Sequence, residues 1–150
     1  MSDKVMDFLN SVAKQLESQS LYVGFVDGAT YPDGTSVAAV ALENEFGVPE
    51  KNQPARPFFR NAIALKQSEW SDIMGRGLRS GQSVHNVLEV MGAVIAGDVR
   101  DSIISLVDPA LSAYTIEQRK KRGNDSTKPL EDTKTMLNDV SYEVRDNESP

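Results

Sequence analysis

Cysteine is missing from all 150 residues, so the chain has no disulfide framework and no thiolate metal site, and it can mature in a reducing cytoplasm. Histidine occurs once, at His85. With no second histidine at i+4, neither a usual zinc pattern nor a Ser–His nucleophile oriented by a third group is indicated, and His85 reads as the polar face of a helix start. Gly24, Gly28 and Gly34 are not spaced as a phosphate loop, and no Walker-type lysine follows them. Nowhere do about 18 apolar residues run together, so no membrane span is expected. The opening Met1 to Phe8 lacks a basic stretch followed by an apolar one, and no signal peptide is expected. Positive charge is also scarce: 16 Lys and Arg stand against 22 Asp and Glu, a formal net charge of −6 that disfavours nonspecific binding to DNA or anionic lipid. These scarcities together point to a soluble protein made inside the cell, with no cofactor, no metal and no catalytic set.

What is present reads as one domain over residues 1–145, with 146–150 fraying at the end. Val5, Phe8, Leu9, Val12 and Leu16 recur at helical spacing and predict an amphipathic helix from Asp3 to Ser18. Leu21 to Val26 is aromatic and β-branched and predicts a strand. Asp27-Gly28 and Pro32-Asp33-Gly34 signal turns, so 28–36 is an exposed loop, and Thr35 or Ser36 caps the helix that follows. Gly47 closes that helix, Pro49 lies in a polar loop, and Pro57 belongs to the first turn of the next helix.

That helix carries Phe59, Ala62, Ile63, Lys66, Trp70, Ile73 and Met74 and ends near Ser80-Gly81. Another carries Val84, Val87, Leu88, Met91, Ile95, Val99, Ile103 and Leu106. Gly92 and Gly97 lie inside it at a cost of about 1 kcal/mol each, which implies close packing against a neighbour such as the preceding helix. A short helical turn through Met136 and Leu137 precedes a strand in which Val140, Tyr142 and Val144 alternate with polar residues. The fold class is α+β: a helix-rich single domain with a small antiparallel sheet packed against long helices. Two strands are too few for a free-standing sheet, so either a third hides in 28–36 or 124–131, or a neighbouring subunit completes it.

Chemistry-bearing residues gather in two places. The first is Ala41 to Gly47 followed by Pro54 to Arg60, where an aromatic and arginine edge is built from Glu43, Glu45, Phe46, Arg56, Phe58 and Arg60. Glu43 and Glu45 are two residues apart on a helix and point to different sides, which argues against a catalytic carboxylate pair. Both also lie near a helix C-terminus, where the dipole disfavours them, so a cation such as Arg56 or an arginine of another subunit is expected beside them. Phe59 is expected in the core and Phe58 at its edge or in an interface, since arginine and aromatics are enriched at interfaces. The second place is the basic run Arg119, Lys120, Lys121 and Arg122. It is read as a solvated helix end, or as a contact for DNA or an acidic partner.

The segments Ala41-Leu-Glu-Asn-Glu-Phe-Gly47 and Pro54-Ala-Arg-Pro-Phe-Phe-Arg60 resemble the signature of the tail completion, or neck, proteins of tailed bacteriophages. Leu111-Ser-Ala-Tyr-Thr115, Lys128-Pro-Leu-Glu-Asp-Thr133 and Val140-Ser-Tyr-Glu-Val144 are similar to the closing segment of that family. The match frames residues 37–144 in the expected order. It departs after Asp132-Thr133, where the family usually has a glycine and a basic residue and this chain has Lys134-Thr135. The resemblance implies a structural virion protein without enzymatic activity, repeated as a homo-oligomeric, hexameric ring at the head–tail junction. Such a ring completes or terminates the tail, touches the tail tube protein and the head-completion or connector proteins, and leaves a channel through which DNA passes. It also implies synthesis in the host cytoplasm and no membrane contact. Two other functions compete: a nucleic-acid-binding accessory protein using residues 119–122, and a small hydrolase built on Glu43, Glu45 and His85.

Overall fold

The computed structural model describes residues 2–106, 121 and 135–147. Helix α1, Ser2–Ser18, leads directly into strand β1, Gln19–Phe25. A loop then delivers helix α2, Val37–Phe46, a single 3-10 turn at Pro49–Lys51, and two long helices, α3 at Phe58–Arg79 and α4 at Val84–Ser105. A short helix α5, Thr135–Asn138, precedes strand β2, Val140–Asp146. The α+β class expected from the sequence is the one found: long helices with a two-stranded antiparallel sheet against them.

Strands β1 and β2 pair from Gln19 opposite Asp146 to Phe25 opposite Val140. The strand expected at Leu21 to Val26 therefore begins two residues earlier, because pairing with β2 rather than local propensity sets its ends. No third strand occurs among the described residues; the 28–36 loop contributes only an isolated bridge, Thr30 to Ser36. Residues 124–131 lie outside the described ones.

The core sits between the sheet and the helices. Val37 and Ala41 of α2, Phe58 and Ala62 of α3, Ala96, Val99 and Ile103 of α4, Met136 of α5 and Val140 of β2 form one buried cluster. Phe58 is 1% exposed and meets Phe25 edge-on, with ring centroids 6.0 Å apart. The expected order of the two phenylalanines is thus reversed. Phe58 is core and Phe59 only half-buried, because Phe58 is the first residue of α3 and faces the sheet. Ile63, expected on the buried stripe, is 40% exposed.

Helices α3 and α4 pack as a hairpin. Their close approach rests on Gly77, where a Cβ would stand 3.0 Å from Val87 Cγ2. Gly92 serves a different neighbour from the one expected: a Cβ there would overlap the ring of Tyr142 on β2. Nothing lies within 4 Å of a Cβ at Gly97, and nothing in the structure explains that glycine. The hairpin is tied by Trp70 Nε1, which donates to Asp98 Oδ2 at 2.6 Å, and by Ser102 Oγ, which donates to the Phe58 carbonyl at 2.6 Å. Trp70→Phe removes the first tie and leaves a half-buried carboxylate without that donor. We expect about 1 kcal/mol of lost stability, read as a lower urea midpoint with an unchanged slope.

Helix α1 forms as its periodicity predicts, yet its apolar stripe is not buried. Val5 is 59%, Phe8 47% and Leu9 52% exposed. The helix is held chiefly at its C-terminal end, where Asn147 Nδ2 donates to the Glu17 carbonyl at 2.6 Å. No helix among the described residues is long and apolar enough to cross a membrane.

Candidate functional site

The candidate site is the turn from α2 into α3. Ser36 starts α2: its Oγ accepts from the Ala39 amide at 3.2 Å, which settles the choice between Thr35 and Ser36. The preceding loop is closed by two short bonds, from the Tyr31 amide to the Thr35 carbonyl and from the Gly34 amide to the Tyr31 carbonyl, each 2.8 Å. In the same loop the Thr35 amide donates to Asp33 Oδ1 at 2.9 Å, and that bond holds the Asp33 carboxyl below its ordinary pKa.

Along α2 the residues at i, i+4 and i+8 sort into two adjacent lines. Val37, Ala41 and Glu45 are buried; Ala38, Leu42 and Phe46 are exposed. The helix stops at Gly47, whose amide donates to the Glu43 carbonyl at 2.7 Å. Its backbone, φ 76° and ψ 170°, lies in a region essentially reserved for glycine. The chain then doubles back through the 3-10 turn and an Asn52 in left-handed conformation, φ 54°. A bridge between Val48 and Gln53 closes this excursion and brings the backbone of residues 53–55 against Gly47.

Pro57 stands one position before α3, not within its first turn, and offers no side-chain cap. Two of the orphan donors at the start of α3 are instead satisfied from α2. Glu45, 7% exposed, accepts from the Phe59 amide through Oε1 at 2.9 Å and from the Arg60 amide through Oε2 at 3.2 Å. Arg60 Nε adds a 2.8 Å charge-assisted bond to the same Oε2, and Arg60 Nη2 donates to the Glu45 carbonyl. A carboxylate is disfavoured at the C-terminus of its own helix but favoured at the N-terminus of the next, so the fold turns a local cost into a tertiary clamp.

The cation beside Glu45 is therefore Arg60 of the same chain, not Arg56. Arg56 is 8% exposed, and its amide donates to the Asn44 carbonyl. Glu43 also finds its cation internally, in Lys51 at 3.8 Å, a solvent-exposed pair of small energetic weight. The Arg60 guanidinium additionally stacks over the Phe46 ring at 4.7 Å.

Of the six residues singled out at this corner, Glu45, Phe46 and Arg60 come together in the clamp, Glu43 pairs with Lys51 instead, and Arg56 and Phe58 are buried outside it. Neither Arg56 nor Phe58 is an exposed side chain in the single chain. Beside the clamp runs an open groove of about 210 Å³, lined by Phe25, Ala38, Ala41, Leu42, Glu45, Phe58 and Phe59. Leu42 and Phe46 stand at 62% and 61% exposure. Leu42 escaped the sequence reading, although its signal was there: it sits four residues from Ala38 and from Phe46, off the buried line.

His85 is exposed and lies 3.6 Å from Glu89, one helical turn on. It is not brought near Glu43 or Glu45 by any contact among the described residues. Among those residues no group of three His, Asp or Glu is placed to hold a metal ion. Of the basic run, Arg119, Lys120 and Arg122 lie outside the described residues, and Lys121 is exposed and helical. The segments Leu111 to Thr115 and Lys128 to Thr133 also lie outside them. No family model, no curated protein and no solved structure matches this chain.

Proposed function

We propose that the chain is a structural subunit of a virus particle, repeated as a ring at the head–tail junction of a tailed bacteriophage. In that role it completes or terminates the tail, joins it to the capsid connector and leaves a passage for DNA. The resemblance carried by Ala41 to Gly47 and Pro54 to Arg60 supplies the class. One structural observation supports it: those two segments are locked to each other by Glu45, and the locked corner presents Leu42 and Phe46 to solvent beside an apolar groove. Exposed aromatic and aliphatic anchors on a rigid support are what an assembly contact requires. A closed ring needs one face of each copy to meet a different face of the next. The open stripe on α1 and the groove beside α2 are two such unlike surfaces.

The test is a paired substitution, Leu42→Glu with Phe46→Glu. Both side chains are exposed, so the isolated protein is expected to keep its circular dichroism spectrum and its melting temperature within a few degrees. Phage carrying the pair are expected to accumulate full heads and separate tails by electron microscopy. Normal infectious particles at normal yield reject this use of the corner.

A further inference from the structure

Among the described residues the two-stranded sheet has a free edge, and its hydrogen-bond phase can be read from its ends. The Val26 amide donates to the Asp139 carbonyl at 3.0 Å, and the Asn147 amide donates to the Ser18 carbonyl at 2.7 Å. In an antiparallel ladder such pairs alternate, so Gly24–Ser141, Tyr22–Glu143 and Ser20–Arg145 are the hydrogen-bonded pairs between. The amides and carbonyls of Tyr142, Val144 and Asp146 therefore point away from β1. Among the described residues nothing pairs with them. At the start of the same edge the Val140 carbonyl accepts from Arg100 Nη2 at 2.6 Å. That arginine closes the edge on one side and leaves the following stretch open.

The side chains along this strand carry a register. Glu143 and Arg145 stand on the solvent face, 58% and 57% exposed, and pair with each other at 2.7 Å. The ion pair holds the Glu143 carboxyl below its ordinary pKa. An edge strand is normally protected from self-association by charge of one sign. Here the solvent face carries one acid and one base on alternate positions, Glu143 and Arg145, which blocks some registers and favours one.

We propose that β2 pairs antiparallel with β2 of a second copy of this chain, about a two-fold axis at Val144, to give a continuous four-stranded sheet. In this register Val144 faces the second copy's Val144 and Tyr142 faces its Asp146, using the open amides and carbonyls on both sides. Glu143 then stands opposite the second copy's Arg145, and Arg145 opposite its Glu143. These are the non-hydrogen-bonded positions, where side chains approach closest. Each of the four charges then has opposite charge directly across from it and two residues along its own strand, while the like charges fall on the longer diagonals. Shifting by one pleat either way places Glu143 against Glu143 or Arg145 against Arg145, so like charge rejects the adjacent registers. The edge of β1 bears no ionised side chain and sets no register of its own. The contact is isologous and ends at two copies, so it is a property of the free chain and does not rest on the ring.

The test is sedimentation equilibrium on the full chain across the micromolar range, with hydrogen exchange on the same samples. A monomer–dimer equilibrium is expected, with the Tyr142, Val144 and Asp146 amides gaining protection as concentration rises. Glu143→Lys places two like-charge pairs across the axis and is expected to weaken the dimer about tenfold or more. The exchanged variant Glu143→Lys with Arg145→Glu restores opposite charge at both positions and is expected to recover the dimer. Three results would overturn the proposal: a chain that stays monomeric, a dimer equally tight in Glu143→Lys, or edge amides that exchange freely in the dimer.

Discussion

Gly47→Ala is expected to lower the melting temperature by about 10 °C, because about 4 kcal/mol is lost at one methyl group. Two independent effects add at this position. The backbone angles, φ 76° and ψ 170°, are strained for any residue with a Cβ. The Cβ itself would stand 2.8 Å from the Ala55 amide nitrogen and 2.9 Å from the Gln53 carbonyl oxygen. Both are backbone atoms, and the Gln53 carbonyl is also held by the Val48 amide, so neither can swing aside as a side-chain tip would. Relief requires the loop to lift off α2, which would pull Pro57 and the start of α3 with it. Thermal unfolding followed by circular dichroism measures the shift. A melting temperature within about 2 °C of the parent would mean the loop yields freely and the corner is not rigid.

Glu45→Ala is expected to cost about 3 kcal/mol, measured by urea unfolding. The substitution strips α3 of the carboxylate that accepts from its Phe59 and Arg60 amides and also removes the ion pair with Arg60. Most of the loss falls on the helix start, because the Arg60 side chain is 54% exposed and regains water when its partner goes. Arg60→Ala is accordingly expected to cost only about 1 kcal/mol, and Glu45→Gln falls between the two because one amide oxygen still accepts. Equal effects for Glu45→Ala and Arg60→Ala would show that the ion pair, not the cap, is what matters. The ordering also bears on the proposed function: a chain lacking the cap presents Leu42 and Phe46 from an unanchored helix end.

Much of the fold was legible because it depends on neighbours along the chain. The period of Val84, Val87, Leu88, Met91, Val99 and Ile103 predicts α4, and all six are buried in it. Ser36 and Gly47 mark the two ends of α2, since capping is decided within a few residues. The alternation of Val140, Tyr142 and Val144 predicts β2. The site was legible as a group of residues, but not in its wiring. Which cation answers Glu45, and which phenylalanine is core, depends on how α2 and α3 meet, and no periodicity carries that. Nor does spacing distinguish a helix whose stripe finds a core from one whose stripe does not, as α1 shows with Phe8 and Leu9 half exposed.

The amino-acid order alone settled which of the described segments coil and which extend, that Gly47 closes α2, and that cysteine chemistry is excluded; these are short-range consequences of side-chain shape and backbone preference. Only the three-dimensional arrangement decided that a carboxylate misplaced on one helix becomes the cap of another. The same holds for the glycine in α4, which makes room for a tyrosine on a strand about fifty residues away. The physical reason is that burial and electrostatic pairing act through space, so their partners are fixed only once distant segments have packed.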